Sequence, residues 1–205
     1  MIQFYDVSVW QNPDTVKHLV GLNEDKVLAV KASEGANIRD KKAVAHVNAV
    51  KDMVDTFIFY HFMRCDKNAA NINVEVQNFL ISVREIARQT GIKKCIYALD
   101  FERANNVQKF SDYANAAHRN ALQQAINRIE ELTGVAPYVY ACESEYKALR
   151  RHGVIIPWAW VAKYSKTPPA EPWGIWQYTN TGGKIDRNQY RAELADLQKK
   201  EVNIV

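Results

Sequence analysis

The chain has 205 residues, of which 47% are hydrophobic and 24% are charged, a composition typical of a globular protein with a substantial core. Its 27 basic and 23 acidic residues give a formal net charge of +4, which is too small to indicate a nucleic-acid partner but favours approach to an anionic polymer. No apolar run approaches the ~20 residues of a membrane-spanning helix. Asp6 interrupts the stretch where a signal peptide would be apolar. We therefore expect synthesis in the cytoplasm without a signal peptide, no membrane insertion and no nucleic-acid partner.

The cysteines and histidines lack the spacing of a metal site. An odd number of cysteines (Cys65, Cys95 and Cys142) without a signal peptide indicates free thiols in a reducing compartment. Cys95 and Cys142 lie in apolar runs typical of strands, which predicts that both are buried. Four histidines fall in helical or loop contexts without partners at ligand spacing: His18, His46, His118 and His152. We therefore expect no metal and no cofactor.

Strands and helices alternate along most of the chain. Apolar runs and turn residues predict strands at Ile2–Trp10, Val27–Glu34, Thr56–Phe62, Cys95–Glu102, Pro137–Cys142, Trp158–Tyr164, Gly174–Thr179 and Lys184–Asp186. Apolar residues at helical spacing predict helices that start near Asn12-Pro13 and cover about Asp40–Val54, Asn73–Thr90, about Val107–Leu132, Glu143–Arg151 and the neighbours of Asp196. Five strand–helix units followed by strands without helices indicate a parallel α/β sheet that closes with some antiparallel character. No linker or repeat is evident, so one domain over residues 1–205 is expected.

Two carboxylates one residue apart end the fourth predicted strand. Asp100 and Glu102 occupy positions i and i+2, which place side chains on the same face of a strand about 6.5–7 Å apart. Two acids in one poorly solvated space cannot both ionise freely, so the pKa of one is raised. The result is a proton donor beside a persistent anion, the pair that cleavage of a glycosidic bond requires.

Further polar and aromatic residues occur at the predicted strand ends, where α/β barrels collect their reactive groups. These ends carry Asp6, Glu34, Tyr60-His61, Tyr140, Tyr164, Gln177-Tyr178 and Asp186. Aromatic rings suit a sugar cleft but equally suit a core, an alternative that stays open for Tyr60, Tyr138, Tyr140 and Trp176. Trp158 and Trp160 are interpreted as core residues. Glu34 is expected to form a structural ion pair with Lys31, and His61 to make an orienting hydrogen bond.

An ordered set of motifs resembles glycoside hydrolase family 25, the Chalaropsis-type lysozymes of bacteria, fungi and phage endolysins. The motifs are Asp6–Gln11, Val30–Gly35, Tyr60–Phe62, Leu99–Glu102, Trp160–Tyr164 and Trp176–Thr179 with Asp186. The resemblance implies a modified TIM-like barrel of five strand–helix units and three further strands, (β/α)5(β)3. It also implies hydrolysis of the β-1,4 bond between N-acetylmuramic acid and N-acetylglucosamine in bacterial peptidoglycan.

Site residues follow from the same resemblance, position by position. Glu102 matches the general acid/base. Asp100 matches the partner carboxylate, which stabilises the developing oxocarbenium ion or assists the substrate's acetamido group, and both routes stay open. Asp6 and Asp186 match the other acids of the site. The expected substrate-binding residues are Tyr60, Tyr138, Tyr140, Trp176, Gln177 and Lys31.

The resemblance also bears on how the chain reaches its substrate. Many family members carry a C-terminal wall-binding module, whereas residues 187–205 alone follow Asp186 here, so no separate module is expected. We expect a monomer that acts on the wall after release, as a phage endolysin does, or outside the cell. The alternatives are a catalytically silent glycan-binding barrel and a chitinase-like barrel. Intact acids disfavour the first, and the lack of a longer series of spaced aspartates before Glu102 disfavours the second.

Overall fold

A closed barrel of eight strands with helices around it forms the fold, as the computed structural model shows. The structure describes residues 1–65, 69–103, 111–180 and 185–204. The strands in these residues are β1 (Ile2–Val7), β2 (Val27–Glu34), β3 (Ile38–Arg39), β4 (Thr56–Phe62), β5 (Lys94–Asp100), β6 (Tyr138–Cys142), β7 (Trp158–Ala162), β8 (Ile175–Thr179), β9 (Asp186–Tyr190) and β10 (Val202–Asn203). The ring runs through β1, β2, β4, β5, β6, β7, β8 and β9, and it closes where β9 pairs with β1.

One strand of this ring runs opposite to the other seven. Neighbouring strands from β1 through β8 are parallel, whereas β9 is antiparallel to both of its neighbours. The short strands β3 and β10 pair with β2 and β5 outside the ring. The predicted barrel of five strand–helix units followed by three strands is therefore confirmed.

Helices cover the outside of the barrel. They are α1 (Pro13–Asn23), α2 (Ala43–Val50), α3 (Asn73–Thr90), α4 (Ala116–Thr133), α5 (Glu143–Arg151) and α6 (Leu194–Gln198). Gly91 and Gly134 end α3 and α4 with positive φ angles of 83° and 82°, a conformation that glycine adopts without steric cost. In the parts of the chain that the structure describes, no helix is long and apolar enough to cross a membrane.

The pleat of the strands divides the barrel interior into an apolar end and a polar end. Phe4, Ile58, Ile96 and Ile175 belong to a buried cluster inside the ring, whereas alternate positions farther along the same strands carry polar groups. Because side chains two residues apart share a face, the inward row of β5 passes from Ile96 to Asp100. The core therefore fills the amino-terminal end of the parallel strands and leaves polar groups at the carboxyl end.

Several predicted boundaries are wrong. The helix expected from about Val107 begins at Ala116, because the side chain of Asn115 accepts a hydrogen bond from the backbone of residue 117 and caps it. Residues 104–110 and 184 lie outside the described residues.

Two predictions near the site also need correction. The last strand of the ring starts at Asp186 instead of ending there. Because this strand runs antiparallel to its neighbours, its first residue and not its last lies at the polar end of the barrel. The thiol of Cys142 is half-buried rather than buried, because it stands at the junction of β6 and α5.

Candidate active site

A cavity opens at the carboxyl end of the parallel strands. It has a volume of about 200 Å³ and is lined by Asp6, Ser8, Trp10, Lys31, Tyr60, Phe62, Asp100, Glu102, Tyr140, Trp160, Gln177 and Asp186. A neighbouring cavity of about 260 Å³ shares Asp6, Ser8, Trp10, Tyr60 and Asp186 with it and adds Tyr164 and Asn180. All four acids that the sequence singled out line the first cavity, and Asp6 and Asp186 also line the second.

The acid pair after β5 lies in the first cavity. Asp100 is 8% exposed, and its Oδ1 atom is buried without a hydrogen-bond partner among the described residues. Burial, and then the negative charge of Glu102, raise the pKa of Asp100 well above its ordinary value. Burial also raises the pKa of Glu102 to about 7, with further contributions from Glu145 and Asp6. The pair therefore retains a proton near neutral pH.

A second pair of acids faces the first from β1 and β9. The antiparallel register places Asp6 directly opposite Asp186. Burial raises the pKa of Asp6, while hydrogen bonds from Asn188 (2.7 Å) and Gln177 (3.0 Å) to its Oδ2 atom act in the opposite direction. Burial, followed by the charges of Asp6 and Glu102, raises the pKa of Asp186 to about 7.

Lys31 brings a positive charge to the acids. Its Nζ atom lies 2.7 Å from Glu34 Oε2, and Glu34 also pairs with Arg64. The charge of Lys31 acts to lower the pKa of both Asp100 and Glu102, against the larger effect of burial. Glu34 therefore holds Lys31 in place, and its predicted role as an ion-pair partner is confirmed.

Aromatic side chains form one wall of the cavity. Trp160 packs edge-on against Tyr60 and Tyr140, with ring centroids 6.3 and 5.5 Å away. Its Nε1 donates to Asn188 Oδ1 at 2.8 Å. Tyr140 donates to Gln177 Oε1 at 2.9 Å, and Gln177 in turn donates to Asp6. This hydrogen-bonded wall holds Asp6 and the aromatic rings in one arrangement.

Two residues expected to bind substrate do not reach the cavity. Tyr138 is 1% exposed and stands at the start of β6, so it belongs to the apolar end of the barrel. Trp176 precedes the inward-facing Gln177, so the pleat turns it outward, where it packs against Trp173 and Tyr178 and donates to the Lys163 carbonyl. The structure places the other eight expected site residues around the cavity.

Sequence reasoning missed several residues of the site. Trp10 follows β1, lines the rim of the cavity and is 86% exposed. Trp160, which the sequence analysis interpreted as a core residue, is buried but also forms part of the aromatic wall of the cavity. Asn188 shares an inward face with Asp186, two residues earlier on β9. A prediction of β9 at its observed position in the sequence would have identified Asn188 by this spacing.

His61 is buried and lines neither cavity. Its Nδ1 atom is 2.8 Å from Ser33 Oγ and its Nε2 atom is 3.1 Å from Glu75 Oε2, which confirms the expected orienting hydrogen bonds. Among the described residues no group of three or more His, Cys, Asp or Glu side chains could hold a metal ion.

Comparisons with known proteins agree with this architecture. The chain is similar to the catalytic domain of endolysin ply40 from bacteriophage P40 of Listeria monocytogenes, with 24% identity over 98% of both chains and a TM-score of 0.76. It is similar to the bacterial lysozyme from Streptomyces coelicolor, with 21% identity over 97% of this chain and 96% of that one and a TM-score of 0.76. A family GH25 lysozyme from Aspergillus fumigatus shows 16% identity over 97% of this chain and 98% of that one, with a TM-score of 0.75. A comparison with curated proteins gave no match.

The match to a protein family spans nearly the whole barrel. The model of Glycosyl hydrolases family 25 matches residues 5–186. This range includes the acid pair after β5 as well as Asp6 and Asp186, which are paired on the neighbouring strands β1 and β9. The chain therefore belongs to glycosyl hydrolase family 25, and it is a glycosidase.

Proposed function

We propose that this chain is a peptidoglycan hydrolase, an N-acetylmuramidase that cleaves the β-1,4 bond between N-acetylmuramic acid and N-acetylglucosamine. The observation that carries this function is the Asp100–Glu102 pair in an acid-lined cavity, with the pKa of Glu102 raised to about 7. Relatives of the same fold support the choice of polymer, since they include an endolysin, lysozymes and a muramidase from Trichobolus zukalii.

Glu102 is the general acid/base in this proposal. Its raised pKa lets it hold a proton near neutral pH, donate that proton to the leaving oxygen and then activate a water molecule. It is also more exposed than Asp100, as an acid that must reach the leaving group should be. Asp100 stabilises the positive charge at the reacting carbon, either by attacking it or by holding the substrate's acetamido group.

The remaining residues bind and orient the sugar. Asp6 and Asp186 line both cavities, so they stand where a glycan chain would cross from one to the other. Tyr60 and Tyr140 offer ring surface, and Gln177 and Lys31 offer hydrogen-bond donors. The net charge of +4 favours approach to an anionic wall polymer.

The biological setting is part of the same proposal. Residues 1–205 act as one catalytic unit and as a monomer, with peptidoglycan as the partner. The enzyme meets the wall after release from the cell in which it is made, or outside that cell.

The first experiment is digestion of purified peptidoglycan, with reduction of the new ends and mass analysis of the products. We expect muramic acid at the new reducing ends. Glucosamine ends would contradict the muramidase assignment, and binding without any cleavage would instead support a silent glycan-binding barrel.

The same digestion tests the role of Glu102. Glu102→Gln should retain the fold and lose activity by at least ~100-fold, because the neutral amide cannot transfer the proton. Glu131→Gln, at an exposed position on α4, should retain full activity. Comparable rates for Glu102→Gln and the parent protein would refute the assignment.

A further inference from the structure

A further cavity lies at the opposite end of the barrel from the acids. Its volume of about 370 Å³ is within the range of small-molecule sites, roughly 300–1,000 Å³. Tyr138 and Trp158 begin the parallel strands β6 and β7, Gly174 directly precedes β8, and Tyr190 ends the antiparallel β9. All four line this cavity, which we call the aromatic cavity. It therefore opens at the amino-terminal end of the parallel strands, whereas the acid-lined cavities open at their carboxyl end.

Aromatic rings are the largest group of side chains in this lining. They belong to Tyr138, Tyr146, Trp158, Trp173 and Tyr190. The three tyrosines are buried, whereas both tryptophans are partly exposed. Trp158 packs on Tyr138, with ring centroids 6.4 Å apart. The rings therefore form an apolar floor with two accessible tryptophans above it, a surface that suits the apolar face of a sugar ring.

The charges of the aromatic cavity are opposite in sign to those of the active site. Among the described residues that line it, Arg150 and Arg191 are the charged ones, and both are exposed. Arg150 pairs with Glu171 at 3.1 Å, and Glu171 is not part of the lining. Arg191 lies over the Trp173 ring, 5.5 Å from its centroid, and forms no ion pair with the residues that the structure describes. A guanidinium stacked on an aromatic ring keeps its N–H groups available for a carboxylate.

Backbone contacts fix the walls of the aromatic cavity. The N–H of Gly174 donates to the Ala159 carbonyl at 2.9 Å, and the N–H of Arg191 donates to the Gly174 carbonyl at 3.1 Å. A Cβ atom on Gly174 would stand 3.2 Å from Cε1 of Tyr138, so the backbone lies directly against that ring. The segments before β7 and β8 and after β9 are thereby joined, and a ligand would find the cavity already formed.

We propose that the aromatic cavity binds an acidic saccharide unit, with the sugar ring on Trp158 and Trp173 and its carboxylate on Arg191. The choice of polymer rests on the proposed function, because the muramic acid units of peptidoglycan carry carboxylates on their lactyl groups or on the peptides attached to them. Neither Asp nor Glu is among the described residues of the lining, so this cavity binds the glycan without cleaving it.

The position of the aromatic cavity determines what such binding does. Because it lies at the other end of the barrel, the strand held there is not the strand that reaches Glu102. A second strand of the same network would keep the enzyme on the wall between cleavage events, since a tethered enzyme meets its substrate at a raised effective concentration.

The test is an NMR titration of the parent protein with two disaccharides. One is N-acetylglucosaminyl-N-acetylmuramic acid, which contains no bond of the kind that a muramidase cleaves, and the other is di-N-acetylchitobiose, which lacks the lactyl carboxylate. The indole N–H signals of Trp158 and Trp173, assigned with Trp→Phe variants, report the aromatic cavity, and those of Trp10 and Trp160 report the active site. We expect the acidic disaccharide to shift the Trp158 and Trp173 signals with a Kd about three- to tenfold lower than that of the neutral one.

Arg191→Gln separates the carboxylate contact from the sugar contact. This variant should bind the acidic disaccharide at the aromatic cavity no more tightly than the neutral one. Arg128→Gln is the matched control, since Arg128 is a partly exposed arginine on α4 that pairs with Glu131 and its replacement changes the net charge equally. It should retain the preference for the acidic disaccharide.

Three results would overturn the proposal. They are shifts confined to Trp10 and Trp160, equal affinity of the aromatic cavity for both disaccharides, and an unchanged preference in a folded Arg191→Gln protein. Glycerol phosphate, which carries an anion without a sugar ring, should bind more weakly than the acidic disaccharide, and tighter binding would assign the cavity to a phosphate polymer instead. Absence of cleavage when the parent protein meets peptidoglycan would overturn the proposed function, so the two failures are distinguishable.

Discussion

The pairing of Asp6 with Asp186 predicts that the site weakens the fold at neutral pH. The two carboxylates stand directly opposite each other on antiparallel strands, and like charges in this arrangement are destabilising. Replacing Asp186 by asparagine retains the shape of the side chain and removes one of the charges. We therefore expect Asp186→Asn to be more stable than the parent protein at pH 8.

The size of the gain follows from the pKa of Asp186, which rises from an ordinary value of 3.8 to about 7. A rise of about three units corresponds to about 4 kcal/mol. Because Asp186 is partly exposed, solvent screening reduces this to roughly 2 kcal/mol. The folded state binds the proton more tightly than the unfolded state, so the penalty grows as pH rises from about 4 to about 7 and is complete above that.

The assay is urea unfolding followed by circular dichroism at pH 4.5 and pH 8. The gain in free energy of unfolding for Asp186→Asn should be roughly 2 kcal/mol at pH 8 and below ~0.5 kcal/mol at pH 4.5. Asp55→Asn, at an exposed position between α2 and β4, serves as the control and should show no such dependence on pH. Equal or lower stability of Asp186→Asn at pH 8 would refute the reasoning.

Two further predictions concern the groups around the acids. Asn188→Ala should lower the free energy of unfolding by about 2–4 kcal/mol in urea at pH 6, because Asp6 loses a donor and the buried Trp160 Nε1 loses its acceptor. The outward-facing Gln189→Ala is the comparison, and a loss below ~1 kcal/mol for Asn188→Ala would contradict the argument. Lys31→Met should move the basic limb of the kcat/KM profile to higher pH, because the lysine charge favours the ionised form of the catalytic acid. A basic limb that moves to lower pH would contradict the argument that the lysine charge lowers the pKa of Glu102.

The sequence by itself was sufficient for the element types and the main acid pair. β2, β4, α3 and α5 begin and end at the predicted residues, because their local periodicity agrees with the fold, and Gly91 ends α3. The proximity of Asp100 and Glu102 could be expected from their spacing alone, since residues two apart along an extended chain share a face. These features depend on residues that are close together in the sequence, so the sequence pattern is sufficient to predict them.

Closure of the barrel decided the rest of the site. Because β9 runs antiparallel to β1, Asn188 reaches Asp6, and Asp186 stands at the start of its strand instead of at the end. The phase of β8 turns Trp176 outward and Gln177 inward, and no periodicity in a five-residue strand distinguishes those two choices. Depth along β6 separates Tyr138 in the core from Tyr140 at the cavity.

A pKa is set by burial and by the charges that folding brings near, so only the tertiary structure determines which acid of this chain holds a proton. The sequence determined which groups were available, and the register of the closed sheet decided which of them meet.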